Sequence, residues 1–339
     1  MSLCLGGSFS DLGLSKLVYL SRDNVEALLD MPACIDSMRS AFQAVASGNV
    51  QAPQRTIIRM ADRPGAFGSM PIYSPGFGSA AKVMTIYPEN HDAGLASHQG
   101  FILLFAEDHG EPLALIEAGS VTELRTAAVS GLATDLLANP GEVTLCILGS
   151  GVQARSHVKA IQCVRDVTRV QVWSRTRGHA DRFVDWVSDN SGLHATVYES
   201  PEGALAGANI VCTVTAAKEP IVEADWLREG CHLNAVGAFI PTARELDTET
   251  IRRARLFVDS RGSAVIEAGD FLIPKGEGVI DEDHIVAELS ELVTGKVVGR
   301  QSAEELTVFK SLGMAVEDLV AARAVYDKAV AEGVGSKIE

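Results

Sequence analysis

The sequence predicts an α/β protein in which a Rossmann-type parallel-sheet domain is joined to a second, α+β domain. Three observations predict it. From Val143 onward, short apolar runs alternate with amphipathic stretches, the pattern of parallel strands joined by crossover helices. Upstream, strand-like runs follow one another with only Gly- and Pro-containing breaks, which favours a mainly antiparallel sheet. The chain has 339 residues, more than one domain of ordinary size.

The elements follow in order. Residues 22–47 have a helical pattern. RTIIRM (55–60), AKVMTIY (81–87) and GFILLFAED (100–108) read as strands. A long Ala-rich helix is predicted over 122–138, stopped by Asn139-Pro140-Gly141. The parallel strands are VTLCIL (143–148), RVQVW (169–173), HATVY (194–198), NIVCTV (209–214), HLNAV (232–236) and RLFVD (255–259). Helical pieces lie between them, at 153–164 and 179–188 for example. Residues 302–332 return to helical periodicity, and the charges over 317–328 read as a solvated face.

Composition narrows the function. Lys plus Arg is 29 and Asp plus Glu is 44, a formal charge of −15, which disfavours binding the phosphate backbone of nucleic acid. It leaves room for a small anion held by a few local cations. The six cysteines (Cys4, Cys34, Cys146, Cys163, Cys212 and Cys231) form no C-x-x-C pair, and most sit in apolar runs. They read as small buried hydrophobes in a reducing compartment. The first sixteen residues lack a basic stretch followed by a long apolar one, so no secretory signal is expected. No apolar run approaches the roughly 18 residues of a membrane span. A cytoplasmic protein without membrane contact is expected. The histidines show no H-x-x-x-H spacing and no metal site is expected; His98 and His157 read as structural as readily as functional.

Gly149-Ser150-Gly151-Val152-Gln153-Ala154 is G-x-G-x-x-A, placed where a strand ends and a helix begins. Gly149 allows the tight turn, Gly151 lets a pyrophosphate approach the backbone, and Ala154 lets helix and strand pack closely. The helix N-terminus then faces the phosphates. An NAD site usually carries Asp or Glu at the end of the second strand. Here Ser174 holds that place, 25 residues after Gly149, followed by Arg175, Thr176 and Arg177. These four can bind a 2′-phosphate by charge-assisted hydrogen bonds, so NADP(H) is the expected coenzyme, with NAD(H) left open. Thr213, Val214 and Thr215 after the fourth strand, and Val236 and Gly237 after the fifth, are placed to close around it.

Three cations sit in apolar settings: Arg55 at a strand start, Lys82 in SAAKVMTIYPEN, and Arg125 in TELRTAAVSG. Burial of a cation is unfavourable without an anion, and the carboxylate of a bound substrate is a natural partner; internal salt bridges are the plain alternative.

Several separate motifs then occur in one order: Arg55-Thr56, Lys82 with Pro88-x-Asn90, Ser97-His98-Gln99, T-x-L-R-T-A-A (122–128), the G-x-G-x-x-A loop, VGAF-x-P-x-x-REL (236–246) and VFKSLGMAVED (308–318). Over nearly the whole chain they resemble the ornithine cyclodeaminase/mu-crystallin family. The resemblance implies a discontinuous substrate-binding and dimerisation domain, residues 1–121 and 310–339, around a Rossmann domain, residues 122–309. It implies a homodimer. It places Arg55, Lys82 and Arg125 on the substrate α-carboxylate, and Ser311 and Gly313 near the nicotinamide. Cyclodeaminases of the family use an Asp on the loop after the fifth strand to handle the substrate amine, and Phe239 stands at that place here. Phe239 and the Ser174-Arg175 pair direct the reading to the reductase branch.

The expectation is an NAD(P)H-dependent reductase of a cyclic ketimine amino acid, of the 1-pyrroline-2-carboxylate or 1-piperideine-2-carboxylate type, giving an L-amino acid. Lys82 is the candidate proton donor, directly or through water. Two alternatives stay open: an ornithine cyclodeaminase with bound NAD, and an NADPH or small-ligand binding protein of mu-crystallin type.

Overall fold

The computed structural model describes residues 17–87, 90 and 94–338. Cys4 and Pro88 of the motifs above lie outside the described residues. β1 (Leu17–Leu20) leads into α1 (Arg22–Leu28) and α2 (Met31–Ala46). The single helix expected over 22–47 is therefore two. Ser21 caps α1, the chain turns extended at Leu29, and Asp30 restarts the helix by accepting from Ala33 N at 2.9 Å, with Pro32 in the first turn.

β2 (Thr56–Arg59), β3 (Ala66–Ser74), β4 (Gly78–Ile86), β5 (His98–Phe105) and β6 (Pro112–Glu117) form an antiparallel run, with β1 parallel beside β6. α3 (Ala118–Leu137) starts four residues before the predicted point. Its cap is Glu117, whose carboxylate accepts from Gly119 N at 2.7 Å and Ser120 N at 2.8 Å, a less familiar N-cap than Ser, Thr, Asp or Asn.

The parallel half then follows. It comprises β7 (Glu142–Leu148), α4 (Val152–Val164), β8 (Asp166–Trp173), α5 (Arg177–Ser191), β9 (Ala195–Val197), α6 (Pro201–Leu205), β10 (Ile210–Thr213), β11 (His232–Ala235), α7 (Thr248–Arg253), β12 (Arg255–Val258), α8 (Arg261–Glu267), α9 (Gly269–Gly276), β13 (Ile285–Glu288), α10 (Leu289–Val293) and β14 (Thr307–Lys310). The chain ends in α11 (Ala315–Glu332) and β15 (Ser336–Ile338), the latter pairing with β1. The helix expected over 302–332 thus begins with a strand. β14 is fully buried, and a four-residue apolar run carries no period that separates strand from helix.

The parallel sheet runs β9-β8-β7-β10-β11-β14-β12-β13. Its order reverses at β7, so a crevice opens between the carboxyl ends of β7 and β10. Alternate residues serve its two faces. Leu145, Ile147, Val170 and Val172 pack under α4 and α5, while Cys146, Leu148, Val211 and Leu233 pack on the opposite side with Leu246, Ile251 and Phe271. A third core joins the two sheets: Ile102, Leu104 and Ile116 of the antiparallel run meet α2, α3 and α11, and beyond them Phe257 and Phe309. The small residues of α3 permit this. A Cβ on Gly131 would sit 3.1 Å from Ile35 and 3.3 Å from Ala160 O, so α2, α3 and α4 could not close up around a larger side chain.

Cys34, Cys146, Cys212 and Cys231 are buried as expected; Cys163 is exposed. No helix among the described residues is long and apolar enough to cross a membrane.

Candidate active site

The glycine loop leaves β7 and enters α4. Gly149 has φ +119°, and a Cβ there would come within 2.8 Å of Val214 O, so only glycine passes the β10 loop. Gly151 is the N-cap of α4 and makes no side-chain cap; a Cβ on it would meet nothing within 4 Å. The first turn of a 13-residue helix therefore presents uncapped N–H groups to open space, a fit to a pyrophosphate. Ala154 is fully buried against the sheet, while Val152 is exposed. The main chain of Gln153 accepts from His157, a buried ring pulled down to about 4 by desolvation and also bonded to Ser130, which makes His157 structural.

At the end of β8, Ser174 and Ser150 share a hydrogen bond of 2.9 Å between hydroxyls. Arg175, Thr176 and Arg177 are exposed. Arg177 is paired with Asp181 and with Glu199, whereas Arg175 makes no ion pair among the described residues.

A buried carboxylate ties the next two loops together. Glu245 accepts from Thr213 Oγ1 (2.7 Å), Thr215 N (2.8 Å), Thr215 Oγ1 (2.7 Å) and Gly237 N (2.8 Å). Gly237 fits so closely that a Cβ would lie 2.1 Å from Thr215 O. Val214 N and Val236 N donate back to the strands. Burial raises the Glu245 carboxyl, and the Lys310 ammonium opposes that rise. Lys310 in turn lies 3.0 Å from Asp270, which accepts from the main chain of Glu245 and Leu246.

The three cations meet where the antiparallel sheet, α3 and the start of α11 converge. Lys82 on β4 donates to Thr122 Oγ1 (2.9 Å) and to both oxygens of Asp318 (3.0 and 2.9 Å). Arg125 on α3 donates from Nε to Asp318 (3.1 Å) and from Nη1 to Glu317 (2.7 Å). Its Nη2 donates to no described residue. Arg55, half-buried, donates to the carbonyls of Leu312 (3.0 Å) and Gly313 (2.7 Å), and its Nε lies 3.4 Å from Glu267. Gly313 (φ +81°) lies against the Arg125 guanidinium, where a Cβ would be 2.5 Å from Nη1. Asp259, at the end of β12, accepts from Leu312 N and Gly313 N, while Ser311 N donates to Ala235 O. The segment 311–313 is thus clamped between the parallel sheet and the cations.

Two expectations change here. The cations do not wait for a ligand to neutralise them: Asp318 and Glu317 already pair with Lys82 and Arg125, and Glu267 lies beside Arg55. The charges of α11 are not all solvated either, since Glu317 and Asp318 are buried while only the later ones, such as Asp327, reach water. Burial lowers Lys82 to about 8, against the pull of Asp318. Burial also opposes the charge on Arg125, but Asp318 and Glu317 outweigh it and hold the guanidinium charged. Glu317 is raised to about 7 by desolvation, with Arg125 pulling the other way. Asp318 stays below the usual carboxylate value because Arg125 and Lys82 overcome its burial.

Arg55, Lys82, Arg125 and Gly313 are brought together, and Ser311 adjoins them. The residues from Gly149 to Ala154 join Ser174 and the Thr213–Gly237 loops in a second group. Thr122, Asp259, Glu317, Asp318 and Glu245 were not foreseen. The signals present were an acid closing the apolar run RLFVD, and the acids of the AVED and REL motifs. Phe239 is exposed and meets His98 of β5 edge-on, with ring centroids 6.4 Å apart.

Known proteins are similar to this chain in sequence and in fold. A Delta(1)-pyrroline-2-carboxylate reductase of Bacillus cereus is 36% identical over 325 residues, 95% of this chain and 100% of its own. Ketimine reductase mu-crystallin of Mus musculus is 41% identical over 294 residues, 86% of this chain and 90% of its own. The structure of Thermococcus litoralis Delta(1)-pyrroline-2-carboxylate reductase in complex with NADH and L-proline superposes with a TM-score of 0.93 at 40% identity, covering 95% of this chain and 100% of that one. The family model of the ornithine cyclodeaminases and mu-crystallins matches residues 16–333, taking in the parallel sheet, β1 to β6, the glycine loop and the cation cluster. By that match, and by these relatives, the chain belongs to the ornithine cyclodeaminase/mu-crystallin family.

Proposed function

We propose that this protein is an NAD(P)H-dependent reductase that converts a cyclic imine carrying an adjacent carboxylate, of the 1-pyrroline-2-carboxylate or 1-piperideine-2-carboxylate type, into the L-amino acid. The observation that carries the reading is Arg125. Its guanidinium is buried and oriented by Glu317 and Asp318, yet Nη2 remains without a partner among the described residues. An arginine so held presents its free edge to a planar anion without reorganising. Arg55, fixed on the carbonyls of Leu312 and Gly313, has Nη1 to add from the side. Each such charge-assisted contact contributes roughly 1.5–3 kcal/mol.

The coenzyme, when bound, supplies the hydride. The chain's own part is to hold it on the α4 N-terminus and between the loops tied by Glu245, and to hold the imine carbon against it. The ammonium of Lys82 is buried and engaged by Thr122 and Asp318, so a proton from it reaches the imine nitrogen through water and not by direct contact. NADP(H) is our preferred coenzyme. The Ser150–Ser174 pair places no carboxylate beside the ribose, and Arg175 is unpaired among the described residues. Phe239 offers no acceptor for an amine, which sets L-ornithine cyclodeamination aside.

We assign residues 1–121 and 310–339 to the substrate half, 122–309 to the coenzyme half, and the outer face of the antiparallel sheet to a homodimer contact. Ile58, Phe67, Tyr73 and Phe101 are exposed on that face, with Ile58 directly opposite Phe67. A cytoplasmic location accords with the free cysteines. The test is coenzyme oxidation, followed by absorbance, with a panel of cyclic imines and both NADPH and NADH, and L-ornithine with NAD as control. Turnover of a carboxylated imine is expected. Turnover of ornithine alone would reinstate the cyclodeaminase, and ligand binding with no turnover of any kind would leave a binding protein.

A further inference from the structure

The cation cluster carries a charge problem that the proposed reaction must solve. Arg55, Lys82 and Arg125 are the positive groups. Around them stand Asp259, Glu267, Glu317 and Asp318. With all seven ionised, the cluster is negative by one charge before any substrate arrives. An organic carboxylate entering it would make that two, in a site shielded from water, where like charges are least tolerated.

One of the acids has to give up its charge, and the hydrogen bonds differ between them. Asp259 accepts from three main-chain N–H groups, those of Ser260, Leu312 and Gly313. Asp318 accepts from two cations, three bonds in all. Glu267 makes only the 3.4 Å contact to Arg55, and its Oε2 is buried without a partner, but it stands at the edge of the cluster with 17% of its side chain exposed and does not touch Arg125. Glu317 is fully buried and accepts only from Arg125 Nη1 (2.7 Å) and Met314 N (3.1 Å). What faces it is Arg125 from α3, Asp259 from the end of β12, Asp318 on its own helix, and from α2 the Cys34 thiol, which burial keeps neutral. Lys82 and Arg55 stand behind Asp318 and Asp259. Of the cluster's fully buried acids Glu317 is thus the one with the fewest hydrogen bonds, and it is bonded to the arginine that would receive the substrate.

We propose that Glu317 is the charge-balancing residue of the substrate site: its carboxyl takes up one proton as the substrate's carboxylate settles on Arg125, and gives it back when the product leaves. The bound state gains one organic anion and one proton, so the charge of the cluster is unchanged across the cycle. Glu317 does not touch the substrate; it acts through Arg125 as a positioning residue. The titration of Glu317, raised to about 7, puts this exchange in the neutral range. The inference rests on the functional reading above.

The experiment is calorimetry of pyrrole-2-carboxylate, a planar cyclic acid without a basic nitrogen, binding to the enzyme saturated with NADPH, repeated in buffers of differing ionisation enthalpy. At about pH 8 wild type should take up close to one proton per site, and its Kd should rise above neutrality by up to about tenfold per pH unit. Glu317→Gln, whose amide oxygen can keep the bond from Arg125 at the loss of that from Met314 N, should bind with no proton uptake and a Kd that stays flat over the same range. It should shift KM for the cyclic imine and leave kcat within about threefold. Glu267→Gln should keep the wild-type uptake. Proton-neutral binding by wild type, or uptake that survives in Glu317→Gln, or uptake lost in Glu267→Gln, would each overturn the inference; the wild-type measurement stands even if the variant fails to fold. If no imine is turned over and pyrrole-2-carboxylate does not bind, the functional reading has failed and this inference goes with it.

Discussion

Asp318→Asn removes one charge from the acid that Lys82 and Arg125 share. The carboxylate accepts two bonds from Lys82 and one from Arg125, and both cations are almost without solvent. An amide of the same shape keeps at most part of that geometry and none of the charge. Breaking a buried ion pair from one side lowers stability by about 3–5 kcal/mol, because the partner is left charged in a dry setting. At roughly 2–4 °C per kcal/mol, Tm should fall by about 10 °C near pH 7. The deficit has a pH signature. Burial already lowers Lys82 from its ordinary 10.5 to about 8, and Asp318 is the group that resists the fall. A group depressed in this way binds fewer protons folded than unfolded, so stability rises with pH across that window. Without Asp318 the window opens at lower pH, Lys82 sheds its proton sooner, and by about pH 9 only the stranded Arg125 still contributes to the deficit. Thermal unfolding of both proteins at about pH 7 and 9 should show a gap that narrows but does not close. An unchanged Tm, or a gap that widens with pH, would refute the assigned pairing.

Three further changes test the coenzyme half. Gly149→Ala forces a Cβ to 2.8 Å from Val214 O at a φ of +119°, and coenzyme Kd by fluorescence titration should weaken by tenfold or more, about 1.4 kcal/mol. Glu245→Gln turns an amide N–H₂ towards donors that now point at a carboxylate; loss of about 1–3 kcal/mol in urea denaturation and a higher KM for the coenzyme are expected. Arg175→Ala should raise KM for NADPH about tenfold while leaving that for NADH within about twofold, and equal effects on both would mean that Arg175 does not read the 2′-phosphate.

Much of the parallel half was legible because its strands are buried on both faces and read as plain apolar runs, while the glycine loop has a spacing set by backbone geometry. β14 escaped because VFK runs into a helical pattern without a break until Gly313. β3 and β6 escaped because Pro71 and Pro112 lie within them. The cations of the site could be nominated since a charge in an apolar run stands out. Their partners could not: Lys82 and Asp318 are 236 positions apart, and no local period links them. Glu245 was noted in its motif, yet its work, holding Thr213, Thr215 and Gly237 at once, appears only when β10 and β11 lie side by side.

The central claim is that Arg125, with Arg55, recognises a carboxylate next to the reducible bond. Its most direct measurement is kcat/KM for 1-pyrroline-2-carboxylate against 1-pyrroline, the same ring without the acid, by loss of NADPH absorbance. Two charge-assisted contacts of roughly 1.5–3 kcal/mol each predict a preference of about 10²–10⁴ for the acid. Comparable rates for the two rings would contradict the account.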